Sequence, residues 1–225
     1  MAKKTEVKEG KVIVIPAIEK KIARVRIIGE TPIIMHRFSE KIQKEILKGM
    51  TGSAKKKKPP KDPEQEYRDS MYWLDKEGFM MLPNGDPLKH KTGFGMPSRA
   101  FKKAMVSACR SIDGVDMTLA RNAFFIMSEF TPLLNHNFKT FAKPRRRTEP
   151  LRLPNRNTMD IRSRGEFLSW AAILVIEYNA NIISLEQIVN LVNVAGFGVG
   201  VGEDRPDKTG GIQGRFEVAG ISKVA

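Results

Sequence analysis

Arginine and lysine dominate the residues of this chain that could do chemistry, and their grouping suits the holding of an anion. Among 225 residues, 39 Lys and Arg stand against 25 Asp and Glu, a formal charge of +14. The densest set is Arg145, Arg146, Arg147, Arg152, Arg156, Arg162 and Arg164, within a proline-rich stretch from Phe138 to Arg164. A guanidinium fork chelates phosphate oxygens, and its plane stacks on bases. Phe138 and Phe141 lie beside the cluster, placed either to stack or wedge between bases or to anchor the base of the loop to the core. A second set sits in a glycine-rich run, where Gly196, Gly198, Gly200 and Gly202 alternate and Gly210, Gly211 and Gly214 follow. Arg205, Lys208, Thr209, Gln213 and Arg215 lie in or beside that run, which therefore reads as a loop facing an anion or as a turn packing helix against strand. Two smaller sets are His36 with Arg37, and Ser98 with Arg99 at the start of a helix, where free N–H groups beside an arginine form an anion site.

Reactive chemistry is harder to find. His36, His90 and His136 are dispersed, with no metal-ligand spacing among themselves or with carboxylates, so no metal and no cofactor is expected. There is no nucleophile elbow, and Asp86, Asp160 and Glu203 form no pair, so no catalytic residue is assigned. The alternating glycines follow a helix, whereas a dinucleotide fingerprint follows a strand. The run GEDRPDKT resembles a P-loop, but Asp207 occupies the place of its second glycine and would repel phosphate. Cys109 is the only cysteine, which excludes an intrachain disulfide and a multi-cysteine zinc site. No apolar run has the length of a spanning helix, and MAKKTEVKEGK lacks the apolar core of a signal peptide, so a cytoplasmic setting without a membrane partner is expected.

The elements that must position these groups follow from periodicity. Lys20 to Ile28 alternates Ala23, Val25 and Ile27 with Arg24 and Arg26 and predicts a strand. Ser39 to Gly49 and Asp62 to Trp73 predict helices, and Gly78 to Leu82 a short strand. Between those helices lies a lysine-rich flexible loop, Thr51 to Asp62. Lys11 to Pro16 reads as an edge strand or an arm towards a neighbouring subunit. Pro97 to Ile112 carries one apolar stripe, Phe101, Ala104, Met105, Ala108, Cys109 and Ile112, which buries Cys109 and leaves Lys102, Lys103 and Arg110 solvated. A helical turn around Thr118 to Arg121 leads into a strand over Ala123 to Phe130. Phe138 to Arg164 shows no sustained period and reads as an extended excursion. Phe167 to Tyr178 predicts a strand covered on both faces. Ser184 and Gln187 form a capping box for a final helix, and a short strand closes the chain. Without the two excursions the order is βαββαβ, so the fold class is α+β, ferredoxin-like, in a single domain over 1–225. Such a sheet is a frequent platform for single-stranded nucleic acid.

At this point the residues resemble a known family. GMPSRAFKKAM is similar to the entry of the first core helix in the RAMP superfamily of CRISPR proteins, although Arg99 stands where that pattern has serine and Lys103 where it has glycine. GVGVGEDRPDKTGGIQGRFEV is similar to the superfamily's C-terminal glycine-rich loop. The resemblance to backbone subunits that bind guide RNA implies a helical fingers insertion over 50–95 and a thumb loop over 139–164. The chain also resembles uncharacterised phage proteins, through Thr31 to Lys41 and Gly200 to Phe216. The ribonuclease branch places an aspartate before the first core helix. Asp86 stands there in the turn sequence PNGDP, so cleavage is not implied.

The expectation is a non-catalytic binder of single-stranded RNA or DNA, acting largely through phosphates as repeating subunits of a homo-oligomer or filament, with CRISPR-related or phage partners. A nucleic-acid-processing enzyme on the same fold and a phage structural protein are the alternatives.

Overall fold

The computed structural model describes residues 16–38, 40–51, 60–152 and 159–223. The expected strand at residues 11–16 and the lysine run at 55–58 therefore fall almost wholly outside the described residues. In chain order the first elements are strands β1 (Lys20–Gly29) and β2 (Ile33–Ile34), then helices α1 (Glu40–Met50) and α2 (Pro63–Asp69). Strands β3 (Tyr72–Leu74), β4 (Met80–Met81) and β5 (Phe94–Pro97) lead into helix α3 (Ser98–Ala108). Helix α4 (Met117–Ala123) and strands β6 (Phe124–Ile126) and β7 (Phe130–Pro132) follow. The second half holds β8 (Arg145–Arg152), β9 (Met159–Phe167), β10 (Ala171–Asn179), α5 (Leu185–Gly198), α6 (Pro206–Thr209) and β11 (Phe216–Lys223).

The alternation read in β1 sets the main sheet. Ala23, Val25 and Ile27 are fully buried, while Arg24 and Arg26 point to the other face. β1 pairs antiparallel with β10 on one side and β11 on the other, and β10 pairs antiparallel with β6. The order β11-β1-β10-β6, joined as β1–α3–β6–β10–α5–β11, is the ferredoxin-like arrangement that the sequence predicts. α3 and α5 share the buried face, through Phe101, Ile188, Leu191 and Val192. Phe101, Trp170 and Phe216 meet there edge to face or tilted, at 5.9 to 6.5 Å between ring centres. β10 buries Ala172, Leu174, Ile176 and Tyr178, but Ile173, Val175 and Glu177 on the opposite face are only half-buried. The expected two-sided cover of that strand is thus one-sided.

The final helix starts as its sequence dictates. The Ser184 N–H donates to Gln187 Oε1 at 2.9 Å, and the Gln187 N–H donates to Ser184 Oγ at 3.1 Å. Beyond the helix, the glycines serve close packing. A methyl group at Gly196 would overlap the Phe216 carbonyl oxygen, and one at Gly214 would overlap that of Val201. The loop is further tied to β2 by the Glu203 N–H on Ile34 O at 2.9 Å.

Several boundaries differ from expectation for tertiary reasons. The helix expected to reach Trp73 stops at Asp69, because Tyr72 and Trp73 pair with Gly95 and Phe94 of β5. The single strand expected over Ala123 to Phe130 splits, with β6 joining the main sheet and β7 a small sheet of order β4-β3-β5-β7. The helical fingers expected over 50–95 thus show, among the described residues, the short helix α2 and a 3-10 turn at Pro87–Lys89 beside much of that sheet. In the described part of the arginine-rich excursion, β8 and β9 pair antiparallel, with β9 flanked by β2 on its other side. β8 lies at the sheet edge, where Pro150 removes no needed donor.

Replacing Gly214 with alanine should cost about 3 kcal/mol or prevent folding, because overpacking and the positive φ of 69° act together. Gly49, in the exposed helix α1 with nothing within 4 Å, should gain up to about 1 kcal/mol on the same change. Urea unfolding of the two variants checks the contrast.

Candidate nucleic-acid interface

Arg99, Lys102 and Lys103 follow Pro97 at helical spacing i, i+3 and i+4, so α3 presents them together on one side. That side forms the floor of a groove of about 1160 Å³, to which α4 contributes Arg121 and the glycine loop with α6 contributes Arg205 and Lys208. Its opposite wall comes from His36, Phe38, Tyr72 and Phe130. Phe38 is 57% exposed and its ring stacks beside His36, 5.7 Å between centres. Three carboxylates also line the groove: Glu129, Glu203 and Asp207.

Two of those carboxylates are already neutralised. Asp207 accepts from Arg110 Nη2 at 2.7 Å. Glu203 takes Arg164 at 3.1 Å, His36 Nδ1 at 3.3 Å and Arg162 at 3.7 Å. Burial alone would raise the Glu203 carboxyl, but the hydrogen bond and charge of His36, with the charge of Arg164, bring it down to about 2. Arg99, Lys103, Arg121 and Lys208 have no carboxylate partner among the described residues, so the groove is left net positive.

Four of the residues predicted from the sequence meet in this groove: His36, Arg99, Arg205 and Lys208. Lys102, Lys103, Arg121 and Phe38 join them without having been predicted as ligand contacts. The signal for the two lysines was their position off the apolar stripe, three and four residues beyond Arg99. Nothing in the sequence places Arg121 or Phe38 beside them.

The hairpin arginines are engaged elsewhere. Arg145 Nε and Arg147 Nη1 reach Glu166 at 2.5 and 2.7 Å, and the Glu166 side chain is only 1% exposed. Burial would raise this carboxyl, yet the two guanidinium groups hold it below its ordinary range. Arg146 pairs with Glu64, and Arg147 also with Glu149. Arg164 bridges Glu203 and Glu66, and Arg162 lies between Asp160 and Glu203. Arg156 and the Arg152 side chain fall outside the described residues. The arginine set expected to hold phosphate over 145–164 therefore forms, among the described residues, an ion-pair lattice that binds the hairpin to α2 and the glycine loop.

Arg37 and Ser98 turn inward, contrary to their expected place at the ligand. Arg37 is 6% exposed, and its Nε donates to the Asp69 carbonyl at 3.0 Å. Ser98 is buried, its hydroxyl 2.7 Å from Thr131 Oγ1, and its N–H donates to Glu129 O, so the first turn of α3 offers no free serine. Arg215 lies outside the groove, 3.0 Å from Glu30 and over the Phe197 ring at 4.8 Å. Phe138 has a φ of 59° and lies under Arg26 at 5.8 Å, while Phe141 lines a different pocket. Asp86 caps a short turn through the Leu88 N–H at 2.9 Å, the structural role its PNGDP setting suggests. Cys109 is buried, and burial pushes its thiol pKa up. Among the described residues no group of histidines, cysteines and carboxylates could hold a metal ion, and no helix is long and apolar enough to cross a membrane.

No protein-family model matches the chain, and no curated protein does. Among solved structures it is similar to Cmr6 from Pyrococcus furiosus, with a TM-score of 0.41 and 8% identity, over 90% of this chain and 100% of that one. An overlap that loose carries no function from one protein to the other.

The ion pairs at Glu166 and Glu203 should be visible in stability. Glu166→Gln should cost about 2 kcal/mol at neutral pH, the scale of charge-assisted hydrogen bonds lost from a buried site. Glu203 sits below its ordinary 4.5, so its contribution is present above that pH and lost as pH falls towards 2. Denaturant midpoints across that window should fall more steeply for the wild type than for Glu203→Gln.

Proposed function

We propose that the groove across α3 binds single-stranded nucleic acid, RNA or DNA, mainly through its phosphates and without catalysis. The observation that carries this reading is the imbalance of charge: six cationic side chains line the groove, while two of its three carboxylates are neutralised, one of them wholly by a cation outside it. A phosphate backbone is the polyanion that such a run of cations fits, and its counterions are released on binding. Phe38, Tyr72 and Phe130 offer ring faces to bases, which only a single strand can present unstacked.

We further propose that copies bind side by side along the strand. At +14 each copy repels the next, and a shared polyanion removes that repulsion, so assembly should depend on the strand. The resemblance of the helix entry and glycine-rich loop to the RAMP superfamily agrees with this role, within a CRISPR-related or a phage setting.

Anisotropy of labelled oligouridylate and oligothymidylate across a salt series tests the proposal. The double variant Arg99→Glu/Lys103→Glu should weaken binding by about tenfold or more. The slope of log affinity against log salt should shrink by about 1.4, at roughly 0.7 per phosphate contact for single strands. Arg146→Glu, outside the groove, should change affinity much less. An equal loss from Arg146→Glu, or no loss from the groove variant, would sink the reading.

A further inference from the structure

A second pocket, of about 670 Å³, opens between the end of the small sheet and the base of the hairpin, and it shares no lining residue with the groove. Lys91, Lys139, Lys143 and Arg145 line it, and no carboxylate does. The ring of Phe141 forms one wall and is partly exposed. We propose that this pocket is a site for one nucleotide unit, with the base stacked on Phe141 and the phosphate held by the lysines.

The pocket is built in advance of any ligand. The Phe141 ring rests on Gly93 so closely that a methyl group there would overlap it, and Gly93 has a φ of +91° that favours glycine. One side of the ring is therefore fixed by backbone. Lys143 Nζ donates to Leu88 O at 3.2 Å and His90 O at 3.3 Å, which holds its ammonium in place. Lys139 lies within a tight turn closed by the Asn135 N–H on Thr140 O at 2.8 Å, and its own N–H donates to Asn137 Oδ1 at 2.8 Å. Lys91 and Lys139 have no carboxylate partner among the described residues, so both charges are available to an anion. A flat apolar face beside unpaired ammonium groups matches a base carrying a phosphate, and a bare phosphate would leave the ring unused.

The same chemistry comes from a free nucleotide or from one residue of a longer strand, and titration of the full-length chain separates them. With adenosine 5′-monophosphate as probe, saturation transfer to the base protons should be clear for the wild type. Phe141→Leu should weaken its affinity about fivefold or more, on the scale of a lost base–aromatic stack. Lys139→Glu, on an exposed turn where folding is not at risk, should do the same, and Arg99→Glu/Lys103→Glu should leave it unchanged. That last outcome keeps this proposal separate from the fate of the groove. If oligoadenylate also weakens on Phe141→Leu, the unit belongs to a strand; if only the monophosphate weakens, the ligand is a free nucleotide. Either result supports the pocket. Failure of the monophosphate to bind, equal binding to Phe141→Leu, or inorganic phosphate binding as tightly would overturn it.

Discussion

The placement of carboxylates, more than that of arginines, decides what this surface can do. Glu64, Glu66, Glu166 and Glu203 come from an insertion helix, a hairpin strand and a glycine loop, yet they converge on the same arginine-rich hairpin. Each pairing offsets the charge of an arginine, and at Glu166 it also lowers the cost of burying the carboxylate. In the groove, Arg99 and Lys103 of α3, Arg121 of α4 and Lys208 of α6 are left without carboxylate partners among the described residues. Positive potential is thus concentrated by subtraction.

The frame beneath that surface depends on close approach. Trp170 donates its indole N–H to Thr31 O at 2.8 Å while its ring lies on Gly29, where a side chain would have no room. Gly196 brings α5 against Phe216 of β11 in the same manner, and Gly214, just before β11, packs on the backbone of Val201 in the loop. The loop positions Arg205 and Lys208 because its neighbours are packed, so the glycines support the groove from behind and leave the ligand to the side chains.

Local rules explain what was readable in the sequence. The capping box at Ser184, the alternation in β1 and the stripe of α3 each concern neighbours a few residues apart, and together they specify the βαββαβ order. The hairpin was not readable, because its outward faces carry arginine and proline, and its register is held by partners such as Glu66, 98 positions from Arg164. The site was legible in part for the same reason. Arg99, Lys102 and Lys103 share a helix, whereas Arg121 comes from α4 and His36 and Phe38 from the segment after β2, and the meeting of these elements is a tertiary fact.

α2 and β9 are joined more closely than either is to the main sheet. The Gly165 N–H donates to Ser70 Oγ at 2.8 Å, Met71 covers Gly165, and Glu66 accepts from both Ser163 and Arg164. The two excursions are thus a single module interrupted by the central frame. Grafting either one alone onto another ferredoxin-like scaffold would leave a half-module with unmatched charges, so any exchange of these segments between proteins has to move both at once.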